Sequence, residues 1–151
     1  MIVSAIDIGS NSVRMLTMGE AGAETRREVE VTGLARGLDA SRLLSADAIA
    51  ETEAVLERFA RLVAADGSEA VGVVATSASR DAINGPEVMN RFERILGVPP
   101  EVIDGTREAA LSFAGATADL HGGSHVVVDI GGGSTEVIQG DGRIGWAFSY
   151  D

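Results

Sequence analysis

Stretches of β-type residues open the chain and predict strands. Residues 2–8 and residues 13–18 are rich in aliphatic side chains and flank a glycine-containing turn, which predicts a hairpin. Residues 24–32 alternate weakly, with Val29 and Val31 on one face and charged side chains on the solvent face, and are the candidate third strand. The first unit of the fold is therefore expected to be three sequential strands.

The middle of the chain alternates helical and strand patterns. Apolar residues recur at helical spacing between Ser45, a candidate N-cap, and about residue 65; they are Ile49, Leu56, Phe59 and Val63. Residues 69–76 have the apolar character of a buried strand, and a polar turn with a short helix follows at residues 77–81. Pro86 suits the first position of another helix, which is expected to end at Gly97.

The last third of the chain returns to strands after one more helix. Residues 102–103 form a short strand, and Thr106 is placed to cap a helix containing Ala109 and Phe113. The apolar strand at residues 126–130 runs into a second glycine turn and a further strand. The predicted order β-β-β-α-β-α-β-α, followed by β-turn-β, indicates an α/β fold with a mixed sheet and covering helices.

An internal repeat divides the chain. Asp7-Ile-Gly-Ser-Asn-Ser12 heads the first hairpin, and Asp129-Ile-Gly-Gly-Gly-Ser134 heads the last one. We therefore expect one complete domain at residues 1–122 and only the opening hairpin of a second copy at residues 123–151, as in a fragment of a longer protein.

Composition narrows the class of protein. The net charge is −11, from 12 basic and 23 acidic residues, so binding to a nucleic-acid backbone is not expected. The chain has no Cys, which excludes disulfides and thiolate metal sites, and His121 and His125 are interpreted as loop residues. No apolar run approaches the ~20 residues that span a bilayer. The start of the chain lacks a basic leader, so we expect a soluble cytoplasmic protein.

The repeated glycine turn has a chemical use. Glycines let consecutive backbone N–H groups converge on an anion, and Ser or Thr hydroxyls add donors. An Asp at the strand end, such as Asp7 or Asp129, supplies an oxygen ligand for Mg²⁺. Hairpin turns also favour glycine, but the repetition of the motif favours phosphate binding. A P-loop is excluded because the chain has no Lys, and a dinucleotide-binding unit is disfavoured because β-type residues follow the turns.

Four ordered motifs carry a resemblance to a known family. They are Asp7-Ile-Gly-Ser-Asn-Ser12, Ala75-Thr-Ser-Ala-Ser-Arg80-Asp-Ala-Ile-Asn84, Asp104-Gly-Thr-Arg-Glu108-Ala and Asp129-Ile-Gly-Gly-Gly-Ser-Thr-Glu136. Together they resemble the N-terminal part of the exopolyphosphatase / guanosine pentaphosphate phosphohydrolase family. The resemblance implies an actin-like (ribonuclease H-like) fold and a cytoplasmic hydrolase with a part in the stringent response.

The resemblance also implies a reaction and roles for residues. The reaction is Mg²⁺-assisted release of the terminal phosphate from polyphosphate or of the 5′-γ-phosphate from guanosine pentaphosphate. Glu108 matches the general base, Arg80 the cation that neutralises the transferring phosphoryl group, and Asp129 the metal-associated carboxylate. Glu136 is interpreted either as a second metal-associated carboxylate or as a solvent-facing strand residue. The phosphate cradle comprises Ser10, Asn11, Ser12, Gly132, Gly133, Ser134 and Thr135.

Three points stay open within this interpretation. Arg107 stands where many family members carry a second acid, which leaves Glu108 as the acidic candidate there. The alternative function is an actin-like ATP-binding module, acting as a kinase, chaperone or scaffold, since such proteins share the two Asp-x-Gly turns. The acidic charge disfavours long polyphosphate relative to a short chain or the nucleotide.

The second hairpin predicts how the 151-residue chain behaves alone. A two-stranded hairpin without a covering domain is marginal in water and exposes unpaired edges. We expect the chain to associate through this hairpin as a two-fold homodimer and to have no phosphohydrolase activity by itself.

Overall fold

The computed structural model describes residues 1–150, which form two β-sheets with flanking helices. A 3₁₀ turn at Glu20–Gly22 joins the second and third strands. In chain order the strands and helices are β1 (Val3–Ile8), β2 (Ser12–Met18), β3 (Glu24–Val31), α1 (Leu38–Ser41), α2 (Ala46–Asp66), β4 (Ala70–Ala75), α3 (Ser77–Asp81), α4 (Gly85–Leu96), β5 (Glu101–Val102), α5 (Gly105–Thr117), β6 (His125–Ile130), β7 (Thr135–Gly140) and β8 (Ile144–Tyr150).

The first sheet is mixed, with strand order β3-β2-β1-β4-β5. Strands β1, β2 and β3 form an antiparallel meander, whereas β4 runs parallel to β1 and β5 runs parallel to β4. Ile8 at the end of β1 pairs with Ala75 at the end of β4. The carboxyl ends of these two strands therefore lie side by side, which brings the first glycine turn next to α3.

One face of this sheet carries the main hydrophobic core. Apolar side chains of β1, β2 and β4 pack there against α2 and α4, and they include Ile6, Ile8, Val13, Met15, Val73, Leu56, Phe59, Val88 and Phe92. Burial of such side chains contributes about 1.5–3 kcal/mol each. The α/β class and the mixed sheet predicted from the sequence are confirmed.

Strand β3 has the opposite orientation to the one predicted. Val29 and Val31 are exposed, because Glu28 and Glu30 are the cross-strand partners of the buried residues Met15 and Val13. The two glutamates instead form ion pairs with Arg58 of α2. Charged partners on the facing helix thus determine which face of β3 points inward, and a single-strand pattern does not contain that information.

Helix ends follow local capping chemistry. The Ser45 hydroxyl accepts a hydrogen bond from the Ala48 amide at 3.3 Å, which confirms the predicted cap of α2. Gly97, at φ 71°, ends α4 as predicted, but that helix begins at Gly85, one residue before Pro86. The predicted cap of α5 is wrong: the Asp104 carboxylate accepts from the Arg107 amide at 2.8 Å, and Thr106 lies inside the helix.

The second sheet is antiparallel, with order β6-β7-β8, and its third strand was not predicted. Helix α5 packs on one face, where Ala109 and Phe113 contact Ile138. The opposite face is apolar and exposed; its large residues are Val126, Val128, Ile130, Trp146, Phe148 and Tyr150. The predicted domain boundary between residues 122 and 123 stays a prediction. Helix α5 precedes that boundary in the chain but packs on the second sheet.

Candidate active site

The two glycine turns have the same backbone geometry. The Gly9 amide donates to the Ser12 carbonyl at 3.0 Å, and the Gly131 amide donates to the Ser134 carbonyl at 2.9 Å. Each turn joins two antiparallel strands of its own sheet. The sequence repeat is therefore also a structural repeat.

The turns lie in direct contact with each other. A Cβ atom placed on Gly132 would lie 2.6 Å from the Asn11 Cβ, and one placed on Gly133 would lie 2.6 Å from the Ser77 Oγ and 2.7 Å from the Ser10 Oγ. At Gly132 a side chain would collide with the Asn11 backbone, whereas at Gly133 it would have to displace the Ser10 and Ser77 hydroxyls. The Ser10 and Ser77 hydroxyls share a hydrogen bond of 2.8 Å, which ties the first turn to the start of α3.

A cavity of about 370 Å³ lies where the turns meet. Its lining includes most of the residues that the sequence predicted for the site, namely Asp7, Ser10, Asn11, Ser12, Glu108, Asp129, Gly132, Gly133 and Ser134. Thr135 lies on the other side of the turns, and Arg80 lines a neighbouring cavity beside Thr106. The fold thus brings together residues that are more than a hundred positions apart.

Glu108 lies in the first turn of α5, at the wall of the cavity. Its Oε2 atom is buried and accepts no hydrogen bond from the described residues. Burial raises the pKa of the Glu108 carboxyl to about 7, with a further contribution from the negative charge of Glu136, while Arg80 opposes the shift. A carboxylate with a pKa near 7 has the property required of a general base at neutral pH.

Asp129 and Glu136 are direct cross-strand partners on β6 and β7. Asp129 lines the cavity and accepts a hydrogen bond from the Ser112 hydroxyl. Glu136 is only 1% exposed, and its Oε1 accepts from the Ser149 hydroxyl at 2.8 Å. The solvent-facing interpretation of Glu136 is therefore wrong: this carboxylate is buried beside the site.

Asp7 lies across the cavity on β1. Burial raises the pKa of its carboxyl, the charge of Arg14 lowers it, and the charge of Asp129 raises it further. One oxygen, Oδ1, is buried without a hydrogen-bond partner among the described residues. Asp7 and Asp129 thus face the same space from the two turns.

Two arginines supply positive charge near these carboxylates. Arg80 donates to the Ile103 carbonyl at 3.2 Å, and its Nε lies 3.4 Å from Asp81 Oδ1, while its charge also reaches Glu108. Arg14 is the one cation among the described residues that line the cavity. Sequence reasoning missed it because only the β1–β2 register places it opposite Asp7.

The acidic side chains fit a partly hydrated Mg²⁺ ion. Within residues 1–150, no three acidic or histidine side chains converge tightly enough to hold an ion by themselves. Mg²⁺ keeps several waters and is bound through one or two carboxylates together with substrate phosphates. The unpartnered Asp7 Oδ1 and the opposed pair Asp129 and Glu136 have the donor chemistry for such a site.

Among the described residues, no helix is both long enough and apolar enough to cross a membrane.

Two sheets that each carry an Asp-x-Gly hairpin, joined around one acidic cleft, define a domain of the actin-like class. Residues 22–151 match the Ppx/GppA phosphatase family, and the chain belongs to that family. Exopolyphosphatase 2 of Mycobacterium tuberculosis is 38% identical over 164 aligned positions, which cover 99% of this chain and 51% of that relative.

Solved structures agree with the family assignment. The Ppx/GppA phosphatase of Aquifex aeolicus is similar at a TM-score of 0.87 and 33% identity, over 99% of this chain and 52% of that one. An exopolyphosphatase from Cytophaga hutchinsonii is similar at a TM-score of 0.92 and 28% identity, over 99% of this chain and 50% of that one. The chain spans about half the length of the curated relatives that it matches.

Proposed function

We propose that the intact protein is a Mg²⁺-dependent phosphohydrolase that releases the terminal phosphate from polyphosphate or the 5′-γ-phosphate from guanosine pentaphosphate. The observation that carries the proposal is the Glu108 carboxylate, whose pKa is raised to about 7 at the cavity where both glycine turns meet. The names of the relatives, which are exopolyphosphatases, support the substrate class.

The glycine turns would bind the terminal phosphate. Gly132, Gly133 and Ser134 line the cavity, and their backbone amides and the Ser134 hydroxyl are the candidate donors to the phosphate. Ser10 also lines the cavity, and its hydroxyl is bonded to Ser77 and to the Ala78 amide. Phosphoryl transfer depends on positioning and charge stabilisation more than on covalent chemistry. Asn11 and Ser12 complete the proposed cradle, whereas Thr135, on the other side of the turns, is not part of it.

Glu108 would act on the attacking water. Its carboxylate accepts the proton while the water oxygen bonds to the terminal phosphorus and the bond to the bridging oxygen breaks, which releases orthophosphate. Arg80 would offset the negative charge near Glu108 and the phosphoryl group. Asp129 and Asp7, which line the cavity, would hold Mg²⁺ together with water and the substrate phosphate, and the buried Glu136 beside Asp129 would add negative charge. The ion, when bound, would neutralise charge on the phosphate oxygens.

The substrate within this class is tested by comparing chains of different length. The net charge of −11 disfavours long polyanions, so we propose a short polyphosphate or guanosine pentaphosphate. Phosphate release by the intact protein should be measured with polyphosphates of several lengths and with the nucleotide. ATP binding without phosphate release from any of these substrates would instead support the actin-like ATP-binding module.

Location and assembly belong to the same proposal. A cytoplasmic enzyme of the stringent response is what the family resemblance implies. The homodimer is proposed for the 151-residue chain by itself, and the exposed apolar face of β6, β7 and β8, which is suited to association with another surface, supports it.

A further inference from the structure

One hydroxyl at the site has no role in the proposal above. Ser112 lines the cavity and donates a hydrogen bond to Asp129 Oδ2. It lies one helical turn after Glu108, so α5 presents Glu108 and Ser112 on the same face. The same helix therefore carries the proposed base and a direct contact to the proposed metal-binding carboxylate.

The acceptor of this hydrogen bond is not the usual one for a hydroxyl inside a helix. A Ser or Thr inside a helix commonly donates to the backbone carbonyl four residues earlier. Thr117, also in α5, does so and donates to the Phe113 carbonyl at 2.7 Å. Ser112 instead donates across to β6, where the acceptor is a carboxylate that lines the cavity.

Asp129 needs such a contact to keep its orientation. It lies directly opposite Glu136, and like charges at paired positions of an antiparallel sheet repel each other. Asp129 is half-buried and lines the cavity. The Ser112 hydroxyl holds Oδ2 and leaves Oδ1 as the oxygen that faces no protein donor among the described hydrogen bonds.

Docking of α5 does not depend on this contact. Ala109 and Phe113 pack against Ile138, with Val127 beside them, and these apolar side chains hold the helix on the second sheet. The hydrogen bond of Ser112 is therefore not what attaches α5 to the second sheet. Its effect is to fix the position of the Asp129 carboxylate relative to the helix that carries Glu108.

We propose that Ser112 is a positioning residue: it orients the Asp129 carboxylate to bind a divalent cation and holds it at a fixed distance from Glu108. The inference rests on the proposed function only in assigning a cation to Asp129. Groups that orient a metal ligand from behind are worth roughly 10–100-fold in metal affinity.

The test is direct binding of Mn²⁺, used in place of Mg²⁺, to the intact protein. Binding is measured as the loss of the free-ion signal in electron paramagnetic resonance. Ser112→Ala should weaken Mn²⁺ binding by roughly 10–100-fold, and Ser112→Thr, which keeps the hydroxyl, should retain most of the affinity. Ser112→Cys keeps the size of the side chain, with only a weak donor, and should resemble Ser112→Ala. Thr117→Ala is the matched control, since it removes a hydroxyl from α5 that contacts only the helix backbone.

Activity provides a second readout that separates this inference from the function. The Mg²⁺ concentration for half-maximal phosphate release should rise in Ser112→Ala by a similar factor, with the maximal rate largely retained. Equal Mn²⁺ affinities in Ser112→Ala, Thr117→Ala and wild type would overturn the positioning role, even in an active enzyme. Weakened Mn²⁺ binding in Ser112→Ala, in a protein that hydrolyses none of the substrates, would support the positioning role and reject the proposed reaction.

Discussion

Asp129 and Glu136 face each other on adjacent antiparallel strands, and Glu136 is almost completely buried. Two carboxylates at paired positions of an antiparallel sheet repel each other unless a cation offsets their charge. The pairing of β6 with β7 therefore creates a concentration of negative charge that favours the proposed cation.

Neutralising Asp129 tests the cation directly. Asp129→Asn should raise the Mg²⁺ concentration needed for half-maximal phosphate release, because an amide oxygen holds Mg²⁺ less well than a carboxylate. The measurement is a Mg²⁺ titration of the rate with the intact protein, with the exposed Asp141→Asn as control. An unchanged Mg²⁺ dependence would remove Asp129 from the metal site.

Contact between the turns should be sensitive to one added methyl group. In Gly132→Ala the new Cβ would lie 2.6 Å from the Asn11 Cβ and 3.1 Å from the Asn11 backbone N, so the turns must separate. A displacement of about 1 Å at a reacting centre lowers rates by ~10²-fold, and we expect a loss of that order in phosphate release. Gly115→Ala in α5 is the control, since its Cβ would meet nothing within 4 Å. Wild-type turnover in Gly132→Ala would show that the observed contact between the turns is not needed.

Glu108 should make stability depend on pH in a defined direction. Its pKa in the folded protein is about 7, above the ordinary value of 4.5, so the folded state binds its proton more tightly than the unfolded state does. Its contribution is fully present below about pH 4.5 and is lost as the pH rises through 7. Glu108→Gln should therefore raise the melting temperature more at pH 8 than at pH 4.5, in protein free of divalent cations.

Thermal denaturation followed by circular dichroism at the two pH values measures this difference. Glu87→Gln is the matched control, because Glu87 is an exposed acid in the first turn of α4. The same change in melting temperature at both pH values for Glu108→Gln would contradict the raised pKa.

Association of the 151-residue chain should depend on the exposed face of the second sheet. Phe148 is 58% exposed on that face, and Phe148→Arg should shift the chain from dimer toward monomer in light scattering. Val29→Arg is the control, since Val29 is 56% exposed on the other sheet. A monomeric wild-type chain, or a dimer unaffected by Phe148→Arg, would contradict association through this face.

Local signals in the sequence predicted most of the elements. Ser45 and Gly97 mark helix ends by chemistry that acts within one turn, and the structure places both as predicted. The cap of α5 was misassigned because Asp104 and Thr106 are both good capping residues two positions apart. The aromatic strand β8 was missed although Trp146, Phe148 and Tyr150 alternate there.

Contacts that depend on strand register and helix docking could not be predicted from the sequence. Arg14 and Ser112 carry no local motif, and only strand pairing and helix docking bring them to the cavity. The orientation of β3 likewise depends on Arg58 of a different element. The repeated motif predicted most of the residues that line the cavity, whereas Arg14 and Ser112 are identified there only by the fold.

The most direct test of the account is the rate of phosphate release by the intact protein when Glu108 loses its charge. With polyphosphate or guanosine pentaphosphate as substrate, Glu108→Gln should lower kcat by roughly 10²–10⁴-fold and change KM little, while Glu87→Gln retains the wild-type rate. In the wild type, kcat/KM should rise with pH through about 7, where the Glu108 carboxyl loses its proton. A Glu108→Gln protein that releases phosphate at the wild-type rate would contradict the proposed mechanism.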